Sequence, residues 1–253
     1  MTDPADALAA AFAARRPLAP FSAETPLSLP EAYAVSARLA ARRGRRVGRK
    51  IGFTNSALWP RYGVDGPIWG AVHEATLAAA DAPLTLSGLL EPRIEPEIVL
   101  ALAAAPASAA REDLIAALDW VAPGFEIVQS PYPGWRFDTA DAVAAGALHG
   151  RLIVGPRVPA GSVAPDLLPE ICVTLLRNGE PMESGRGANA LGGPLAALSH
   201  LVEVLAADPD APPLAAGEMI STGTLTDAFP VAPQETWRAE FDPPLGPLEI
   251  TFA

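Results

Sequence analysis

Residues 93–102 read RIEPEIVLAL, with Glu95 and Glu97 two positions apart in an otherwise apolar run. Side chains in a strand alternate between faces, so Glu95 and Glu97 point one way while Ile94, Pro96 and Ile98 point the other. Two carboxylates on one partly buried face repel each other and are costly to desolvate unless something positive lies between them. A divalent cation is the simplest such group. The competing reading is an edge strand whose charged face is wet, and Pro96 suits an edge or a bulge. A third carboxylate, Glu126 in the short apolar segment GFEIVQ (124–129), favours the first reading. Three glutamates make an oxygen-rich donor set that suits Mg²⁺ or Mn²⁺ better than zinc, with a position left open as catalysis requires. Lys50, in GRKIGFT (48–54), is either a snorkelling surface lysine or a cation that holds a substrate carboxylate or a developing negative charge beside that site.

Outward from this stretch, short β-rich segments separated by Gly and Pro fall at 47–53, 94–102, 124–129, 148–154, 171–177, 218–224, 236–242 and 248–252. Asn178-Gly179 reads as a hairpin turn. Helical periodicity marks 111–121 and 194–206, and two helices open the chain. The first, near 4–15, starts at Asp3-Pro4. The second, about 29–43, has the capping box Ser28 to Glu31 and stops at Gly44. The expected fold class is α+β: a twisted or barrel-like mixed sheet over 47–253, preceded by a small helical region over 1–46.

The 253 residues carry a net charge of −11, from 29 acids against 18 Lys and Arg. That excess repels phosphate backbones and anionic membrane surfaces, so neither nucleic acid nor a membrane is expected as a partner. No uninterrupted apolar run reaches the roughly 18 to 20 residues of a membrane span. The N-terminal stretch has acids where a secretory signal carries Lys or Arg, which points to the cytoplasm. Cys172 is the single cysteine, which excludes an intrachain disulfide. Within ICVTLL it reads as inert core.

The blocks GRKIGFTN, GVDGPIWG, EPRIEPEIVLAL, GFEIVQS, DTADAVAAGALHGRLIVG, GRGANALGGPLAALSHLVEVL and AGEMISTGTLT occur here in order. Together they resemble the 2-keto-4-pentenoate hydratase and 4-oxalocrotonate decarboxylase group of the fumarylacetoacetate hydrolase superfamily, over roughly residues 28–252. The resemblance implies a barrel-like β-fold with the active site at one mouth and Mg²⁺ or Mn²⁺ held by Glu95, Glu97 and Glu126. It makes Lys50 the contact to a substrate carboxylate or enol oxygen. Gly187, Ala188, Asn189, Leu191 and Gly192, together with Thr222, Gly223 and Thr224, are expected to face the substrate, with Asp65 nearby. A small-molecule 2-oxo acid substrate and a homo-oligomeric assembly follow from the same resemblance.

Where many hydratases of this group carry a run like Asp-Asn-Ala-Ser-Ser-Gly, this chain has Ala145-Gly146-Ala147-Leu148-His149-Gly150. His149 is therefore a candidate acid–base group, or else a neutral histidine bonded to a carbonyl. His73 and His200 read as structural. The loop 58–70 either covers a small apolar ligand or packs on the surface. Trp135, Arg136 and Asp138 either close the cavity or meet another subunit, and Gln129 and Ser130 are candidates to brace the site. The reaction implied is addition of water to a 2-hydroxydienoate to give a 4-hydroxy-2-oxo acid. The alternatives are decarboxylation of a 2-oxo diacid, for which Arg61, Arg136 or Arg151 could bind the second carboxylate, carbon–carbon bond hydrolysis with His149 as base, and a non-catalytic binding protein.

Overall fold

A computed structural model describes residues 2–253. Two helices lead, α1 (Pro4–Ala14) and α2 (Leu29–Ala40). Asp3 caps the first by accepting from Ala5 N, and Ser28 and Glu31 form the expected reciprocal box on the second. Then come β1 (Arg46–Gly52), the single turn α3 (Trp59–Tyr62), β2 (Ile68–His73), β3 (Leu77–Ala78), β4 (Arg93–Leu102), α4 (Arg111–Ala117) and β5 (Leu118–Val128). They are followed by α5 (Thr139–Ala144), β6 (His149–Val154), β7 (Val158–Pro159), β8 (Cys172–Arg177), β9 (Glu180–Arg186) and α6 (Pro194–Ala207). Four strands complete the chain: β10 (Met219–Ser221), β11 (Phe229–Pro230), β12 (Thr236–Phe241) and β13 (Pro247–Thr251).

A mixed nine-stranded sheet runs β2-β1-β10-β4-β5-β6-β3, with β11 also on β4 and β7 on β5. A second, antiparallel sheet runs β13-β12-β8-β9. The main core joins the two sheets with α4 and α6 through Ile98, Leu100, Phe125, Leu198, Leu201 and Trp237. A second cluster packs Leu8 of α1, Val35 and Leu39 of α2 and Val143 of α5 together. Asp141 of α5 accepts from Phe21 N and Ser22 Oγ, tying the N-terminal helices to the segment that leads into β6.

β4 is an interior strand, which disposes of the wet-edge reading of its glutamates. Pro96 is tolerated because of a local gap in the ladder. β10 pairs with β4 only at Val99–Ala101 and β11 only at Arg93–Ile94. Between them the chain leaves the sheet, and Pro96 O accepts from Leu225 N (3.0 Å). The proline nitrogen faces that same side, so its missing donor costs no regular ladder bond.

Three expectations shift. Helix 111–121 ends at Ala117, because Leu118 onward pairs with β4 and β7; ladder formation overrides helical periodicity there. The strand expected over 218–224 stops at Ser221, since Thr222–Thr224 turn out of the sheet. Cys172 is exposed rather than core: it opens β8 on the face opposite the buried Val173 and Leu175. Asn178 and Gly179 both take positive φ (52° and 84°), forming the hairpin turn between β8 and β9. By length and composition alone Gly187–Ala207 could cross a membrane, but Leu195, Leu198, Leu201 and Leu205 are buried in the core, as in a core helix.

Candidate active site

The β4/β5 register sets Glu95 directly across from Glu126, with Glu97 one step along the same face and opposite Gly124. One carboxylate oxygen from each of the three lies within 4.8 Å of the others. Glu97 and Glu126 are fully buried, and Glu95 is half-buried. Lys50 arrives from β1, whose parallel pairing with β10 places it beside Ser221. Its Nζ lies 3.1 Å from Glu126 Oε2 and donates to Ala147 O (3.1 Å).

Each buried carboxylate is hydrogen-bonded through one oxygen. Glu97 Oε2 accepts from Ser221 Oγ and from Gly223 N (2.9 Å), while its Oε1 has no partner. Glu126 Oε1 is 2.7 Å from His149 Nδ1, while its Oε2 meets only the Lys50 ammonium. Gly223 makes its contact possible. Its φ of 104° suits glycine, and a Cβ there would fall 1.7 Å from Thr54 Oγ1.

In their ionised forms the three carboxylates exceed the one ammonium by two negative charges in a buried pocket. Burial pushes the Glu97 carboxyl well up, and Glu126 and Glu95 push it further. Burial also raises Glu95, to about 7, against the pull of Lys50. Burial would raise Glu126 as well, but Lys50 and His149 outweigh it and hold that carboxyl below its ordinary value. Burial opposes the Lys50 charge, yet the three glutamates raise it, so the side chain stays cationic. Orphaned hard oxygens, two excess negative charges and convergence within 4.8 Å fit a divalent cation that prefers oxygen donors.

A narrow pocket opens beside this cluster. Lys50, Glu95, Asn55 and Thr224 supply its polar lining, and Phe53, Tyr62, Ile68, Val128, Trp135 and Leu148 make most of the remainder apolar. Tyr62 spans its rim, accepting from Arg93 Nη1 (3.0 Å) and donating to Asp227 Oδ1 (3.5 Å). Arg93 lies over the Trp135 ring at 4.3 Å, and Arg61 pairs with Asp227.

The structure thus gathers Glu95, Glu97, Glu126, Lys50 and Thr224 around one space. The other candidates fall elsewhere. Thr222 is buried and donates to Ile98 O (2.7 Å). Asn189 donates to Leu225 O (2.8 Å), bracing the loop that carries Gly223. Leu191, in a left-handed conformation, donates its N–H to Thr54 O and lines a separate hollow with Asn189. Asp65 is exposed and accepts from Thr139 Oγ1 (3.2 Å). His149 is buried behind Glu126 and does not line the cavity. Gln129 bonds Leu90 N and His149 O, and Ser130 bonds Tyr132, so both brace backbone. Of the 58–70 loop, Tyr62 and Ile68 reach the cavity, as does Trp135, whereas Arg61, Arg136 and Arg151 do not line it. Ser221, Thr76, Asn55 and Phe53 escaped sequence reasoning, because only the three-dimensional pairing brings them to the site.

Residues 65–253 match the family model described as fumarylacetoacetate (FAA) hydrolase C-terminal, and the chain belongs to that family. It is 32% identical over 247 residues to 2-keto-4-pentenoate hydratase of Paraburkholderia xenovorans (strain LB400), covering 94% of this chain and 90% of that one. It is equally 32% identical over 213 residues to 4-oxalocrotonate decarboxylase of Pseudomonas putida, covering 82% and 79%. Among solved structures, 4-oxalocrotonate decarboxylase from Pseudomonas putida G7, complexed with magnesium and adipate, superposes with a TM-score of 0.90 at 30% identity, covering 99% of this chain and 96% of that one.

Proposed function

We propose that this chain is a divalent-metal-dependent lyase that adds water to a 2-hydroxydienoate to give a 4-hydroxy-2-oxo acid. The observation that carries this reading is the polarity of the cavity: Lys50 and Glu95 of the acidic cluster lie at one end, and among the described residues Lys50 is the only cation in the lining. A monocarboxylate with a hydrocarbon end matches that division. Glu95, Glu97 and Glu126 would hold Mg²⁺ or Mn²⁺, which when bound supplies positive charge where the substrate's 2-oxygen becomes an enolate. Lys50, kept cationic by its three acidic neighbours, binds the carboxylate or enol oxygen and adds to that stabilisation. Phe53, Tyr62, Trp135 and Leu148 hold the diene end and keep bulk water away from it. Thr224 and Asn55 are the neutral polar groups in the lining, suited to orienting the substrate and the incoming water.

Decarboxylation of a 2-oxo diacid is the second reading. It is favoured by the high structural likeness to a decarboxylase whose complex holds adipate, a dicarboxylate. Against it stands the placement of Arg61, Arg136 and Arg151 outside the lining. The deciding assay incubates the protein with 2-hydroxypenta-2,4-dienoate and, separately, with 4-oxalocrotonate, in Mg²⁺, Mn²⁺ or EDTA, following ultraviolet absorbance and CO₂ release. Metal-dependent loss of the dienoate chromophore without CO₂ supports hydration, and CO₂ from the diacid supports decarboxylation. If neither compound is consumed, both assignments fail for these substrates. A cytoplasmic, homo-oligomeric enzyme remains part of this proposal, supported by the family resemblance.

A further inference from the structure

His149 is fully buried with both ring nitrogens engaged: Nδ1 lies 2.7 Å from Glu126 Oε1 and Nε2 lies 2.8 Å from Thr76 Oγ1. The proton accounting follows from the partners. A carboxylate oxygen only accepts, so Nδ1 carries the hydrogen toward Glu126. Thr76 Oγ1 holds the other nitrogen, and its one hydroxyl hydrogen has two acceptors at 2.8 Å, His149 Nε2 and His73 O. Thr76 is itself buried, and its oxygen accepts from His73 N (3.1 Å), which fixes where the hydroxyl sits. The backbone delivering His149 is unusual. Gly146, Ala147 and Leu148 take positive φ in succession (77°, 53° and 63°). Two of these are not glycine, and such conformations persist only where the surroundings enforce them. Here Gln129 N bonds Leu148 O (2.8 Å), and Lys50 Nζ bonds Ala147 O. One turn therefore sets both groups that touch Glu126, the lysine on Oε2 and the imidazole on Oε1.

We propose that Thr76 and His149 are positioning residues: Thr76 anchors the His149 ring, and His149 fixes the rotamer of Glu126 so that it faces a divalent cation. This inference rests on the reading of Glu95, Glu97 and Glu126 as a metal site. Without the Thr76 hydroxyl the ring loses the contact that fixes its orientation, and its bond to Glu126 Oε1 loosens. Outer hydrogen-bond partners of this kind are commonly worth 10- to 100-fold in metal affinity.

The test is Mn²⁺ binding to the full chain, measured by isothermal titration calorimetry and by the electron paramagnetic resonance signal of free Mn²⁺, with circular dichroism to verify folding. Thr76→Val, nearly isosteric, and His149→Phe are expected to weaken Mn²⁺ about 10- to 100-fold. Thr76→Ser, which keeps the hydroxyl, and His149→Asn, whose amide donates from near the Nδ1 position, are expected to stay within about threefold, well inside that range. A purely packing role would not follow this donor-by-donor pattern. If His149→Phe does not fold, the Thr76→Val and Thr76→Ser pair decides. Wild-type affinity in a folded Thr76→Val chain overturns this inference alone. A wild-type chain that binds no Mn²⁺ overturns the metal reading and this inference with it.

Discussion

Replacing Glu97 by Gln separates the metal-binding role of this carboxylate from any role in folding. Glu97 is fully buried, and its nearest acidic oxygens lie within 4.8 Å. Two ionised carboxylates at that separation repel by roughly 3.5 kcal/mol at an effective dielectric of about 20. Burial and the acidic neighbours raise the Glu97 pKa and so favour its protonated form when no metal is bound. Glutamine is the uncharged isostere of that protonated form, and its side-chain oxygen still accepts from Gly223 N. Metal-free Glu97→Gln is therefore expected to melt within about 4 °C of the wild type, since 1 kcal/mol moves the Tm of a chain this size by about 2–4 °C. The metal response should differ sharply. At a free Mg²⁺ or Mn²⁺ concentration about 100 times Kd, binding stabilises the wild type by about 2.7 kcal/mol, or about 5–11 °C. Loss of an anionic ligand should exceed the roughly 100-fold effect of losing an outer partner. At the same metal concentration the variant then gains about 0.4 kcal/mol or less, at most about 2 °C. Differential scanning fluorimetry in EDTA and in metal reads both quantities. A metal-induced rise equal to that of the wild type would remove Glu97 from the ligand set. A metal-free melting point more than about 10 °C low would mean that the carboxylate is needed for folding.

The remaining predictions follow from the same cluster. In EDTA, the Tm of the wild type relative to Glu95→Gln should fall as pH rises from about 5 to 8: the folded state binds a proton at Glu95 more tightly than the unfolded chain, so that contribution is lost as pH climbs from the unfolded value through about 7, while the opposite contributions of buried His73 and His149 are common to both proteins. Mn²⁺ affinity should tighten over the same interval, because metal and protons compete for these oxygens; a pH-independent calorimetric Kd would contradict this. Lys50→Met should lower kcat/KM by about 100-fold or more while the protein still binds Mn²⁺, checked by steady-state kinetics and calorimetry; unchanged kcat/KM would exclude contact between Lys50 and the reacting oxygen. Gly223→Ala forces a Cβ to within 1.7 Å of Thr54 Oγ1 at a φ of 104°, so it should cost about 3 kcal/mol or more, lowering Tm by about 6–12 °C. A melting point unchanged by this substitution would refute the close packing of the 222–224 turn.

The local pattern carried much of the molecule. Alternation around Pro96 predicts that Glu95 and Glu97 share a face, and capping at Asp3 and Ser28 predicts where the first two helices start. Asn178-Gly179 predicts its hairpin, and the ordered blocks identify the family. Each depends on neighbours within a few residues, or on a family-wide arrangement of segments. The failures arise where pairing with a distant strand decides the outcome. Leu118 leaves its helix because β4 offers ladder bonds, and Cys172 faces outward because β8 meets its partners in a register the segment itself does not encode.

The carboxylates, the lysine and the exclusion of polyanionic partners by net charge were determined by the chain of amino acids, since chemistry and local periodicity belong to the residues themselves. Their convergence was decided by tertiary structure alone. The β4/β5 register sets Glu126 across from Glu95, the parallel β1/β10 pair carries Lys50 to Ser221, and Ser221 reaches Glu97 across 124 residues. The strained turn at 146–148 turned His149 from a candidate acid–base group into a buried partner of Glu126. Non-local pairing is selected by packing and hydrogen bonding over the whole sheet, energies that no short window of sequence contains.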